Sequence, residues 1–257
     1  SGQLFRLDPV TGEHEPFNVR RQVGGSTIQV SGELLLFMDR GTIALWKDGA
    51  FGETIVDQIA DEVETRFNDV FADVEGRVFC GTMPVRGENG RPGRLYRLDP
   101  DRSIRVVDEG FGCSNGMGLT PDLAGLYFTD TPAKTIYRYD YDRSTGRISN
   151  RTPAITLDKD GPGPDGMTVD ANGNIWTALW GGESVQCHAP TGERIETLGV
   201  PGAKQVTCPT FAGSDLRTMY ITTAGGPDRD QNGQHAGALF RAEMHVAGVP
   251  EHRSRID

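Results

Sequence analysis

Short runs of alternating or aromatic-rich residues recur along the chain, separated by polar turns. The clearest is a seven-residue phrase that occurs six times, at residues 2–8, 41–47, 93–99, 134–140, 183–189 and 237–243. Each copy has the alternation and the aromatic content of a β-strand. Successive copies lie about 40 to 50 residues apart, a period typical of propeller blades. The sequence therefore predicts an all-β fold, a six-bladed β-propeller with a central metal-binding channel.

Two further phrases precede most copies and complete the predicted blade. A middle phrase stands at residues 33–39, 77–83, 125–131, 174–180 and 218–224. Before it comes an inner phrase, expected to form the strand nearest the axis, at residues 24–30, 66–73, 113–120, 163–170 and 205–212. These two phrases occur five times, so the first blade of the predicted single domain over 1–257 lacks its inner strands. Because proteins usually avoid open sheet edges, we expect a further segment before residue 1.

Length, charge and cysteine usage exclude several classes of protein. A chain of 257 residues suits one large all-β domain as well as two smaller domains. The net charge of -10 argues against a nucleic-acid partner, which needs a basic face. No apolar run approaches the ~20 residues of a membrane span. The four cysteines, which show no metal-binding or redox spacing, indicate thiols in a reducing cytoplasm.

Polar side chains occupy matching places on three inner phrases. They are Asn68, Asn115 and Asp165, and equivalent points on separate blades are expected to converge at the channel. Amide and carboxylate oxygens suit Ca²⁺, Mg²⁺ or Mn²⁺ better than a thiolate-loving metal. Gly116 and Gly166 fit tight backbone turns beside them. Taken singly, Asn-Gly and Asp-Gly are often turn dipeptides, but their repetition at equivalent positions favours a functional interpretation.

Arg66 precedes the first of these amides by two residues. Its planar fork of donors could position a substrate carboxylate or hydroxyl, although a structural ion pair within the blade is an equal alternative. No competing catalytic motif occurs: the sequence has no GxSxG elbow, no HExxH pair and no phosphate-binding loop. Substrate selectivity is expected to lie in the loops at residues 84–92 and 225–237.

Together the phrases resemble the senescence marker protein (regucalcin)/gluconolactonase family over nearly the whole chain. The resemblance is carried by RFND with CGTM, SNG with YFTDT, and PDGM with NIW, at residues 66–69, 80–83, 114–116, 127–131, 164–167 and 174–176. It implies a six-bladed propeller that holds a divalent metal and hydrolyses aldonolactones. Asn115 and Asp165 match family metal ligands, and Arg66 and Asn68 match positions that face the substrate.

Two departures from the family pattern are visible. The family's third metal ligand is a glutamate on the first inner strand, and the stretch that would carry it is absent from these 257 residues. Val70 follows the RFND phrase, where the family usually has glycine.

The sequence therefore supports a metal-dependent lactonase acting on a small sugar lactone, with Ca²⁺ as the first choice and Mg²⁺, Mn²⁺ or Zn²⁺ as alternatives. In this hypothesis Asp165, or another carboxylate near it, also assists an attacking water as a base. Two other functions stay open. One is a non-catalytic metal-binding or interaction propeller, since a fold does not fix a function. The other is a propeller esterase that acts on other esters.

Overall fold

The computed structural model describes residues 2–85, 90–226 and 229–257 of the chain. Its elements are almost entirely antiparallel β-strands, and they divide into two compact units. One unit contains the residues up to Gly110 together with His252–Asp257, and the other contains Phe111–Glu251. The single domain predicted over residues 1–257 stays a prediction.

Three sheets make up the first unit. A two-stranded sheet pairs β1 (Gln3–Leu7) with β2 (His14–Asn18). A four-stranded sheet has the order β3 (Val23–Ile28), β4 (Leu34–Met38), β5 (Ile43–Lys47) and β6 (Ala50–Val56). After a 3-10 turn at Ala60–Glu62, the next sheet contains β7 (Thr65–Ala72), β8 (Val78–Pro84), β9 (Gly93–Leu98) and β10 (Ile104–Phe111).

The second unit also contains three sheets. The first has the order β11 (Ser114–Leu119), β12 (Gly125–Asp130), β13 (Thr135–Asp142) and β14 (Arg147–Thr156). The second has β15 (Gly163–Val169), β16 (Ile175–Trp180), β17 (Ser184–His188) and β18 (Arg194–Gly199). The third has β19 (Val206–Ala212), β20 (Thr218–Thr223) and β21 (Leu239–Glu243), with the short helix α1 (Arg229–Asn232) between its last two strands.

Each sheet of three or four strands runs in chain order, as a propeller blade does, and the fold is an all-β propeller. The expected six blades are not all present, because the described residues form five. The phrase copy at residues 2–8 pairs only with β2, in a sheet of two strands. The reason is visible in the repeat, since only five inner and five middle phrases exist to build complete blades.

Burial follows the order of strands within a blade. All six residues of β11 and of β12 are buried, whereas most residues of the outer strand β14 are exposed. In this blade the inner and middle strands are therefore covered on both faces, whereas the outer strand is not. No helix among the described residues is long and apolar enough to cross a membrane. Residues 86–89 and 227–228, in the two predicted selectivity loops, lie outside the described residues.

Candidate functional site

A break in strand pairing occurs at the same place in all five inner strands. The register against the middle strand shifts at Val23/Gly25, Phe67/Val70, Asn115/Met117, Pro164/Met167 and Val206/Cys208. Each shift is a β-bulge, which inserts unpaired residues and re-aims their side chains out of the regular ladder. The residues predicted to carry the chemistry lie at these bulges.

The turn after each inner strand gives a common reference for comparing the blades. A carbonyl accepts a hydrogen bond from the amide three residues later at Gln29, Asp73, Thr120, Asp170 and Gly213. Counting back five residues from these carbonyls gives Gly24, Asn68, Asn115, Asp165 and Cys208. The three predicted polar residues therefore share one position within their sheets. The same count adds Cys208, which the sequence interpretation missed although its spacing from the turn could have identified it.

Gly116 and Gly166 are needed for close approach, and neither lies in a turn. Both are inside strands and neither has a positive φ. A Cβ atom on Gly116 would lie 2.4 Å from the backbone nitrogen of Met167, and one on Gly166 would lie 2.6 Å from the carbonyl oxygen of Thr207. The expectation of tight backbone turns at these glycines is therefore wrong. They allow the inner strands of neighbouring blades to pack together at the bulges.

In the first unit, Arg66 and Asn68 form a hydrogen-bonded pair at the bulge of β7. Arg66 Nη1 donates to Asn68 Oδ1 at 2.7 Å and to the carbonyl oxygen of Phe67 at 2.9 Å. A guanidinium group can only donate, so the amide oxygen of Asn68 must face it. The amide nitrogen of Asn68, which is the donating end of the group, then points away from Arg66. This geometry suits Asn68 to binding hydroxyl or carbonyl oxygens.

Asp69 is the second residue of the same bulge and was not predicted as a site residue. Burial raises the pKa of its carboxyl group to about 6, and the positive charge of Arg66 opposes this rise. A half-buried carboxylate that titrates near neutral pH is unusual for a structural residue. In the sequence, only its place in the RFND phrase could have indicated that Asp69 belongs to the site.

A cleft of about 760 Å³ opens beside the start of β7. Its lining includes Thr65, the residue before Arg66, together with Arg20, Arg21, Arg40 and Glu64. The volume is within the range of small-molecule sites. The lining is mixed, since Val63 and Val85 add apolar surface beside these charged side chains.

In the second unit, one hydroxyl group connects Asn115 to the strand that carries Asp165. Asn115 Nδ2 donates to Thr131 Oγ1 at 2.8 Å, and Thr131 Oγ1 donates to the carbonyl oxygen of Pro164 at 2.7 Å. Asn115 is 5% exposed. Since its nitrogen faces Thr131, its amide oxygen points to the other side of the planar group. The two side chains are therefore oriented oppositely: the amide oxygen of Asn68 faces its protein partner, whereas in Asn115 the amide nitrogen does.

The donors of the second unit fit a hard divalent cation. Asn115 presents an amide oxygen, and the half-buried Asp165 adds a carboxylate from the neighbouring bulge. Both are ligand types that Ca²⁺, Mg²⁺ and Mn²⁺ prefer. Within the part of the chain that the structure describes, no group of three His, Cys, Asp or Glu side chains forms a metal cluster. A cation bound by these residues would therefore depend on amide oxygen as well as carboxylate.

Known proteins match the chain over most of its length. The family model for the SMP-30/Gluconolactonase/LRE-like region matches residues 1–225. The chain is 44% identical to the pentonolactonase XacC of Haloferax volcanii, covering 100% of this chain and 88% of that protein. It is 32% identical to the regucalcin of Gallus gallus, covering 96% of this chain and 86% of that protein. The solved structure of the calcium-binding protein regucalcin from Agrobacterium tumefaciens has a TM-score of 0.90 at 25% identity, covering 99% of this chain and 87% of that one.

Proposed function

Because the chain belongs to the SMP-30/gluconolactonase/LRE-like family, we propose that it is a divalent-metal-dependent hydrolase that opens small sugar lactones. The observation that carries this proposal is the Asn115–Thr131–Pro164 connection, which presents an amide oxygen beside the bulge of Asp165. The similarity to a pentonolactonase indicates the substrate class.

We assign the cation to Asn115 and Asp165, with Ca²⁺ as the first choice because the donors are oxygens and one structural relative is a calcium-binding protein. Mg²⁺, Mn²⁺ and Zn²⁺ are the alternatives to be tested. When bound, a divalent cation supplies Lewis-acid polarisation of the lactone carbonyl. The Asp165 carboxylate accepts a proton from the attacking water. Water adds to the carbonyl carbon, the ring C–O bond breaks, and the proton held by Asp165 passes to the departing ring oxygen, which gives the open hydroxy acid.

Arg66 and Asn68 have the substrate-binding role. The Asn68 amide nitrogen donates to a sugar oxygen, and Arg66 holds that amide in the donating orientation through its 2.7 Å hydrogen bond. Both hydrogen bonds leave one guanidinium nitrogen, Nη1, and lysine would have to place its ammonium nitrogen at the same point from a shorter and more flexible side chain. We expect R66K to raise KM more than it lowers kcat.

The four cysteines are thiols, and two of them, Cys80 and Cys187, are buried. Burial raises the pKa of both thiols, which makes them unreactive. This pattern supports our proposal that the protein works in the reducing cytoplasm.

The test is lactone hydrolysis by the full chain, followed as acid release from pentonolactones and gluconolactone. The rate is measured before and after chelator treatment, with Ca²⁺, Mg²⁺, Mn²⁺ and Zn²⁺ added back singly. We expect metal-restored activity, and a loss of about 100-fold or more in kcat/KM for D165N. D160N, at an exposed aspartate shortly before β15, is the matched control. Failure to hydrolyse any lactone with any cation would favour a binding propeller, and preference for aryl esters would favour an esterase.

A further inference from the structure

Thr131 follows the last residue of the middle strand β12 and is half-buried. Its hydroxyl group touches both sides of the candidate cation site. It accepts from Asn115 Nδ2 at 2.8 Å and donates to the Pro164 carbonyl at 2.7 Å. Pro164 immediately precedes Asp165, so the contact fixes the backbone from which Asp165 projects.

The direction of these two hydrogen bonds is fixed by chemistry. A peptide carbonyl can only accept, so the single hydroxyl proton of Thr131 is used on Pro164. The Thr131 oxygen must then accept from Asn115, and the amide nitrogen must face it. Cys113 Sγ, at 3.5 Å, is a second and weaker acceptor for the same nitrogen. An amide flip would place the Asn115 oxygen against the Thr131 oxygen, whose only proton is already donated to Pro164.

The backbone that leads into Asn115 is held by the neighbouring residue of the same strand end. The Asp130 carboxylate accepts from the backbone nitrogens of Gly112 and Cys113, each at 3.1 Å. Asp130 therefore holds the turn before β11, while Thr131 holds the Asn115 side chain. The end of β12 therefore positions Asn115 in two ways: Asp130 fixes the main chain before it, and Thr131 fixes the orientation of its amide.

We propose that Thr131 is a positioning residue for the cation site, which orients the Asn115 amide so that its oxygen is presented and ties that amide to the Asp165 bulge. The inference rests on the proposed function, because it assigns Asn115 and Asp165 to a divalent cation. It also explains why residue 115 is an amide. An aspartate there could not donate to Thr131 and would compete with Pro164 for its only proton.

The experiment compares three variants with the wild-type full chain. T131V keeps the shape of the side chain but removes both hydrogen bonds, and T131S keeps the hydroxyl. T129V is the matched control in β12, two residues before Thr131, because Thr129 is fully buried and its hydroxyl has no hydrogen-bond partner within the described ranges. Metal-free protein is titrated by calorimetry with Ca²⁺, Mg²⁺, Mn²⁺ and Zn²⁺, each alone, and thermal melts verify folding.

We expect T131V to weaken the affinity for the cation that wild type binds by about 10- to 100-fold, the effect typical of losing a group that orients a metal ligand. T131S should restore affinity close to wild type, and T129V should bind as wild type does. Equal affinity of folded T131V and wild type would overturn this inference alone. If wild type binds none of the four cations, the metal-dependent function fails and this inference fails with it.

Discussion

Replacing Asp69 by asparagine should stabilise the protein at neutral pH. The carboxyl group has an ordinary pKa of 3.8, and burial raises it to about 6 in the folded protein. At 1.36 kcal/mol per pKa unit, this corresponds to about 3 kcal/mol of cost for keeping the group ionised. That free energy is an upper bound, because the half-buried carboxylate keeps some contact with solvent. For D69N we therefore expect a gain of about 1 to 3 kcal/mol in the free energy of unfolding at pH 7.5.

The sign of the pH dependence follows from linkage. A carboxyl group with a raised folded pKa binds its proton more tightly in the folded state than in the unfolded state. Its contribution to stability is complete below pH 3.8 and is lost as the pH rises through about 6. Asparagine does not titrate. The difference in unfolding free energy between D69N and wild type should grow between these two pH values and stay constant above them.

The assay is urea unfolding of metal-free wild type and D69N at a series of pH values from 4 to 8. Asp73 provides the matched control, since it lies one residue beyond the same inner strand but has partners for both oxygens. Its carboxylate accepts from the backbone nitrogens of Glu75 and Arg77 and from Arg77 Nη1 at 3.0 Å. D73N should lose about 2 to 4 kcal/mol. A D69N variant that is less stable than wild type at pH 7.5, or a difference that does not change with pH, would refute the reasoning.

Three further substitutions test other parts of the structure. N68D keeps the oxygen that Arg66 binds but removes the N–H donors, so we expect a folded protein whose kcat/KM falls about 10- to 100-fold in steady-state assays. G166A would place a Cβ atom 2.6 Å from the Thr207 carbonyl oxygen, and we expect a loss of about 1 to 3 kcal/mol in urea unfolding with weaker cation binding by calorimetry. L123N should raise the free energy of unfolding by up to about 1 kcal/mol, measured by thermal melts. Leu123 has a φ of 57°, where the equivalent turns contain Gly32, Gly76 and Gly173, and asparagine tolerates a positive φ better than leucine does.

The repeat determined most of what the sequence could predict. Because side chains alternate along a strand and blades repeat, the inner and middle phrases identified their strands and placed Asn68, Asn115 and Asp165 at equivalent positions. Those assignments depend only on local spacing. The blade count was less accessible, since the copy at residues 2–8 looks like the other copies but pairs with β2 alone. Which strands pair depends on the neighbouring strands as well, and the residues of a single phrase do not specify them.

The roles of Gly116 and Gly166 could not be read locally either. Asn-Gly and Asp-Gly are turn signals in an isolated sequence, yet here both glycines lie inside strands. The reason for each glycine is the backbone of another blade, which begins some 40 or more residues away along the chain. Cys208 illustrates the converse. Its spacing from the turn at Gly213 places it with the site residues. A cysteine, however, indicates a redox environment and not a place in the blade, so its residue type gave no sign of this position.

Asn68 and Asn115 show why a residue type at an equivalent position does not by itself assign a role. The two amides occupy the same place in their blades, but Arg66 can only donate and so turns the amide oxygen of Asn68 toward itself. Thr131 gives its proton to Pro164 and so turns the amide nitrogen of Asn115 toward itself, which leaves the oxygen on the other side, as the proposed cation site requires. An aspartate is therefore compatible with the neighbours of residue 68 and incompatible with those of residue 115. Exchange of amide for carboxylate should impair substrate binding at the first position and cation binding at the second.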